Sequence, residues 1–252
     1  MPSEPTRWRV ALALLALPVA ACSPDVTAKP EPKGAVPEAT PGQIEVKLSP
    51  QRDSARYEFL IEQRALDAAG RFETAEGEIE IQFTEFDTGR VRATFRVRSV
   101  EAKSGERRDS LSPSQAVRNR LEGLSWSSKH DPTGTIIGPV ELARSDNWGF
   151  LGTIGAERGF FGIAYPSGPV AEGKSWRAST PGVEWQLAGV SEWLATLEGV
   201  VELQSEDAAV SQSVRARIEI ASGLPLEMVG DETVTKPDGT AILRHWSLSR
   251  ID

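Results

Sequence analysis

A mainly β fold, with antiparallel meanders forming a curved sheet or half-open barrel and one or two short helices, is what this sequence predicts. Three observations lead there. Apolar and polar residues alternate over long runs, which is the signature of strands with one wet face. Turns containing glycine and proline separate those runs, and one segment alone carries clear helix start and stop signals. Residues 43–252 suffice for a single domain with its own core, possessing two halves of similar pattern. Cys22, the single cysteine, lies ahead of this body, so no disulfide supports the core.

Taken in chain order, Arg7 and Arg9 precede Val10–Ala21, 12 residues without a charge. That is too short for a hydrocarbon core needing about 20 residues, so 1–21 reads as a cleaved export signal rather than a spanning helix. Val19, Ala20, Ala21 and Cys22 then follow the order aliphatic, small, small, cysteine. This run resembles the lipobox of bacterial lipoproteins. The resemblance implies cleavage between Ala21 and Cys22, diacylglycerol on the Cys22 sulfur and an acylated amine; beyond that covalent lipid no cofactor is expected. Two or three acyl chains, at about 0.8 kcal/mol per buried methylene, make a lasting membrane anchor. Ser23, not Asp, follows the cysteine; for a host with two membranes the resemblance implies the outer membrane, facing the periplasm or the cell surface.

Loss of residues 1–21 removes two arginines and one glutamate and takes the net charge from −8 to −9. An acidic surface without a basic run argues against nucleic acid as a partner. Residues 22–42 carry Pro24, Pro30, Pro32, Pro37 and Pro41 and few large apolar side chains. Such a segment cannot offset the entropy of folding and reads as a tether, reaching about 60 Å at about 3.1 Å per residue.

Within the body, Ile79, Ile81 and Phe83 alternate with Glu78, Glu80 and Gln82, and Val91, Ala93, Phe95 and Val97 with Arg92, Thr94 and Arg96. Asp87-Thr88-Gly89-Arg90 between them reads as a hairpin loop that sets glutamates against arginines on the wet face. Ser112 as cap, Pro113 at the first helical position and Gln115 closing an S-x-x-Q box predict a helix ending near Gly123, with Val117, Leu121 and Leu124 inward. Glu141–Gly155 fits helix or loop. Strands return at Val200–Leu203, Val214–Ile220, Leu226–Val234 and Ala241–Leu248, separated by Ser222-Gly223-Leu224-Pro225 and Lys236-Pro237-Asp238-Gly239. Gly77–Val97 and Gly199–Ile220 share one scheme of glycine, strand, polar loop and strand.

Gly168, Gly173, Lys174 and Ser175 match the phosphate-loop pattern G-x-x-x-x-G-K-S. Nucleotide is nevertheless not an expected partner, because Pro169 lacks a donor N–H and the chain runs on to Pro181-Gly182 rather than into a helix. A turn followed by a strand is the expectation here. Pro166, Pro169-Val170, Gly173 and Trp176 compose P-x-x-P-V-x-x-G-x-x-W, which resembles an element of a family of secreted bacterial proteins of unknown function. Ser222–Pro225 followed by a strand agrees with it, and the likeness would span most of 43–252. It implies a β-rich fold and no chemistry.

Nothing in the sequence names a catalytic group. His130, in His130-Asp131-Pro132-Thr133-Gly134, reads as a solvated turn residue, and His245 sits in a strand beside Trp246; no spacing gives either of them metal ligands. No G-x-S-x-G element marks a nucleophile. What stands out is six tryptophans in the processed chain against two tyrosines. Packing in the core is their ordinary role, but Trp126, Trp148, Phe150, Phe160, Phe161, Trp176 and Trp185 are candidates for an apolar-ligand surface. Three readings therefore compete. The first is a membrane-anchored envelope lipoprotein with a non-catalytic binding role for a lipid or other apolar ligand; the second is an assembly subunit that docks an envelope protein; the third is an envelope hydrolase.

Overall fold

The computed structural model describes residues 42–66, 70–142, 159–178, 182–206 and 208–252. All of them lie in the compact unit Ala39–Asp252. Cys22 and the rest of 1–41, Trp148, Phe150 and most of Glu141–Gly155 lie outside the described residues.

The strands are β1 (Gln43–Ile44), β2 (Ser54–Ala65), β3 (Phe72–Asp87), β4 (Arg90–Gly105), β5 (Ser112–Pro113), β6 (Ser125–His130) and β7 (Glu141–Leu142). Those of the second half are β8 (Val170–Ala171), β9 (Ser175–Arg177), β10 (Val183–Val190), β11 (Leu194–Gln204), β12 (Ala209–Glu219), β13 (Pro225–Thr235) and β14 (Ala241–Arg250). One helix, α1 (Gln115–Leu121), and a 3-10 turn at Arg108–Ser110 complete the described elements. Apart from the small β1–β8 pair, the strands form one large antiparallel sheet, curved but not closed into a barrel.

Its order is β7-β6-β4-β3-β2-β14-β13-β12-β11-β10-β9, with β5 against β4. Two meanders thus run outward from a central seam where β2 pairs with β14, from Tyr57 opposite Arg250 to Ala65 opposite Ile242. Alternation decides which face is wet. Ala55, Tyr57, Phe59, Ile79, Ile81, Ala93, Phe95 and Val97 are buried, and so are Leu187, Leu197, Ala216, Ile218, Met228 and Leu248 on the other arm. Glutamates and arginines take the opposite face; Arg98 meets Glu80 at 3.1 Å there. Such exposed pairs are worth about 0–1 kcal/mol each, so they favour register and solubility more than stability.

The helix begins later than its sequence signals suggest. Ser112 and Pro113 are extended and pair with Ser104 and Lys103 of β4, which takes them out of any helix start. Ser114 is the cap instead, its Oγ accepting from the Val117 amide at 3.4 Å. Val117 and Leu121 still face inward as the spacing requires. Ser175 opens β9 rather than a helix, so the G-x-x-x-x-G-K-S run has no helix N-terminus to hold a phosphate.

Candidate functional site

Because each strand alternates and the pairing is in register, inward residues line up in rows across the curved sheet. One row reads Trp185, Gly199, Val214, Gly230, Trp246, Ile61, Ala75 and Ala102 from β10 to β4. The next is Leu187, Leu197, Ala216, Met228, Leu248, Phe59, Gly77 and Val100, apolar but for its glycine. On the other side runs a polar row: Gln212, Glu232, Arg244, Gln63 and Glu73. The inner face is therefore apolar with one polar margin.

Glycine in the first row is a matter of space. A Cβ on Gly199 would stand 2.9 Å from the ring of Trp185, and one on Gly230 only 2.3–2.5 Å from the ring of Trp246. Each indole thus lies flat over the glycine of the neighbouring strand, an aromatic covering a glycine gap. Both rings lean toward β12, where Val214 sits between them. Trp185 and Trp246 are each 1% exposed, and neither indole N–H meets an acceptor among the described residues. Buried indole N–H groups ordinarily find a partner.

In the polar row, Arg244 donates from Nη1 to Glu232 Oε2 at 2.9 Å and from Nε to Gln63 Oε1 at 2.8 Å. The side chains of Glu232 and Arg244 are only 4% and 17% exposed. Sequence reasoning overlooked this group, although its signal was present: Arg244 falls in phase with Trp246 and Leu248, and Glu232 with Met228 and Gly230, so each charge sits on an apolar face.

The other arm of the inner face holds a cluster of rings. Phe95 stacks on Trp126 at 4.7 Å, and Phe160 and Phe161 approach Phe95 at 5.9 and 5.6 Å. Tyr57 meets Phe161 edge-on at 5.2 Å. The segment that brings Phe160 and Phe161 in is tied by backbone bonds, Phe160 N–H to Gly134 O and Tyr165 N–H to Thr133 O. Trp176 is half-buried and donates to Ala164 O at 2.7 Å. So the fold gathers Trp126, Phe160 and Phe161 in one cluster, places Trp185 on the opposite arm, and sets Trp176 on β9.

His130 is not the solvated turn residue that its sequence neighbours suggest. It ends β6 facing inward, fully buried, with Phe160 against its ring. Gly134 O, which can only accept, lies 3.0 Å from Nδ1, so that nitrogen carries the proton and Nε2 accepts from Ser128 Oγ at 2.7 Å. Gly134 adopts φ +75, and a Cβ there would meet Ile163 O and the Tyr165 ring at 2.9 Å. The Asp131 carboxylate is occupied by the Thr133 and Thr135 amides and the Thr133 hydroxyl, away from His130. Serine and histidine thus pair without a carboxylate on the ring and without exposure. Nor is any group of three or more His, Cys, Asp or Glu among the described residues arranged to hold a metal ion.

Burial holds the His130 imidazole below its ordinary pKa of 6.5. As pH drops through 6.5 the unfolded chain takes up a proton that the folded chain refuses, so stability is full above that value and declines below it. Urea midpoints should therefore fall between about pH 7 and pH 5.5, and His130→Gln should flatten that slope. The carboxyl of Glu219, kept below its usual range by the Ser222 hydroxyl and by Arg250, loses its contribution only at lower pH. An unchanged slope in His130→Gln would show that His130 does not govern this window.

No protein-family model and no curated protein matches the chain. Among solved structures it is similar to lipovitellin, in a structure describing lipid–protein interactions, with a TM-score of 0.55 at 11% identity. That likeness covers 85% of this chain, which spans 26% of lipovitellin, and it establishes a shared fold. An S-type phycobiliprotein lyase from Guillardia theta has 10% identity over 79% of this chain and 88% of its own, with a TM-score of 0.33. A DUF1329 family protein from Desulfovibrio piger has 8% identity over 79% and 86%, with a TM-score of 0.23. These last two are too slight to argue from.

Proposed function

We propose that this chain is a membrane-anchored envelope lipoprotein whose body binds a lipid or other apolar ligand without catalysis. The observation that carries the reading is the inner face: an unclosed sheet gathers apolar, buried side chains from β10 to β6 on one side, bordered by one polar row. The lipid interactions described for lipovitellin, whose fold this chain shares in part, support it. So does the burial of Ser128 and His130, which denies a substrate access to the single Ser–His pair described above. No helix among the described residues is long and apolar enough to cross a membrane, and in this reading attachment comes from lipid on Cys22.

The test is mass spectrometry of lipid extracted from the natively purified chain. A stoichiometric, non-covalent lipid is expected; a ligand-free protein would defeat the reading. In that event the assembly-subunit reading takes over, supported by Trp193 and Val190, 55% and 38% exposed at the β10–β11 turn. Membrane attachment is tested separately: Cys22→Ala should leave the signal unprocessed by the lipoprotein peptidase, whereas normal processing and membrane retention of the variant would contradict the anchor.

A further inference from the structure

Large apolar side chains stay exposed mainly at one end of the sheet. The antiparallel register sets the ends of β3, β10, β12 and β14 at that end, with the starts of β2, β4, β11 and β13. Of the seven large apolar side chains left exposed among the described residues, Phe86, Val190, Trp193 and Ile251 stand there, and Leu66 and Leu243 at the other end. Trp193 is the most exposed of them, at 55%. The β10–β11 tip that carries it is braced: Ser191 N–H donates to Leu194 O at 2.8 Å, and Ile220 N–H of the neighbouring turn donates to Trp193 O at 3.0 Å.

The chain enters the body beside this tip. Gln43 pairs with Ala171, and two residues farther on Gly173 N–H donates to Leu187 O of β10. From Leu187 the strand runs about 10 Å to Val190. Ser49 N–H then donates to Ser222 O, in the turn that follows Ile220. Whatever holds the chain from its N-terminal side therefore holds it by the Trp193 end of the sheet. The lipid proposed for Cys22 lies some 20 residues upstream of Gln43. A tether of that length keeps the body at high local concentration beside the bilayer, so a contact too weak to retain a free protein is still made.

Charge selects the surface. Between Val190 and Leu194 the tip offers Glu192 and no cation, and the whole chain is acidic. An anionic bilayer would repel it. Zwitterionic headgroups suit an indole, whose ring is apolar and whose N–H bonds to oxygen at the wet boundary.

We propose that the β10–β11 tip, through Trp193 and Val190, rests in the interface of a zwitterionic bilayer, so that the tethered body meets the membrane with this end of its sheet. The inference rests on the lipid anchor at Cys22 proposed above and adds a second, orienting contact.

The probe is a vesicle of phosphatidylcholine whose acyl chains are dibrominated near the headgroup, since bromine quenches tryptophan emission at contact. Flotation of the natively processed chain with the vesicles reports the anchor, and quenching relative to unbrominated vesicles reports the tip. The chain should float and lose about one sixth of its emission if the six tryptophans of the processed chain emit alike. Trp193→Phe should abolish that loss, and Val190→Asp, which keeps the fluorophore, should cut it at least about threefold without changing flotation. Brominated phosphatidylglycerol mixed into the vesicles should not raise it. Quenching that survives Trp193→Phe, or that increases on anionic lipid, would overturn the proposal. Flotation without quenching overturns it too, while leaving the anchor standing and assigning the tip to the protein partner of the assembly reading. A chain that neither floats nor is quenched removes the anchor and the tip contact together.

Discussion

Gly230→Ala lowers the stability of the body by about 3 kcal/mol, at the upper end of what overpacking usually costs. The added methyl would lie 2.3–2.5 Å from the Trp246 ring, closer than such contacts occur, and Trp246 is 1% exposed with no free space to retreat into. Either the indole leaves its place or β13 and β14 separate at their Gly230–Trp246 pair, beside the seam of the sheet. For a domain of this size, 1 kcal/mol moves the melting temperature by about 2–4 °C, so a drop of about 6–12 °C is expected. Gly189→Ala, the same substitution where nothing lies within 4 Å, should change little. Trp246→Leu in the Gly230→Ala background should recover part of the loss. A melting temperature for Gly230→Ala equal to that of Gly189→Ala would show that the indole does not lie on the glycine.

Glu232→Ala costs about 3 kcal/mol, because it leaves the Arg244 guanidinium charged, largely buried and missing its carboxylate. Arg244 keeps 17% side-chain exposure, which places the loss at the low end of the range for breaking a buried pair. Replacing both partners, Arg244→Met with Glu232→Leu, should restore most of the stability, since an apolar pair of similar volume asks for no ion desolvation. Urea unfolding of the two single variants and the double variant measures the coupling. A single-variant loss below about 1 kcal/mol would mean that the pair is solvated.

How much of this was legible depended on the range of the interaction. Runs such as Glu78–Phe83 and Val91–Val97 reveal β3 and β4 because alternation is local, and the Asp87–Arg90 turn joins them. β2 was not read, since Leu60 and Ile61 stand side by side in Ser54–Ala65 and blur the period; β10, eight residues long, was missed as well. The histidine at 130 misled for a different reason: its neighbours Asp131, Pro132 and Gly134 do form a turn, but the strand ends on the inward phase one residue earlier. Hardest to foresee was the row of Trp185, Gly199, Val214, Gly230 and Trp246. Every member is an ordinary strand residue alone, and only long-range register brings the rings onto the glycines. Trp126 and Trp176 showed the same difficulty, because a tryptophan's number in the chain says nothing about the arm of the sheet it joins.

The seam between β2 and β14 also governs the order in which the molecule can be made. Ribosomal synthesis delivers β2 some 190 residues before β14. Throughout that interval the long edge of β2, with Tyr57 and Phe59 on its apolar side, has no strand to cap it. At its end the seam is held by Ile251 N–H donating to Arg56 O and the Arg56 amide donating to the Asp252 carboxylate. Such distant pairing is slow compared with local hairpin formation, and an open apolar edge invites mispairing with other chains. Until β14 pairs with it, the free edge of β2 is therefore the stretch of this sheet most open to mispairing.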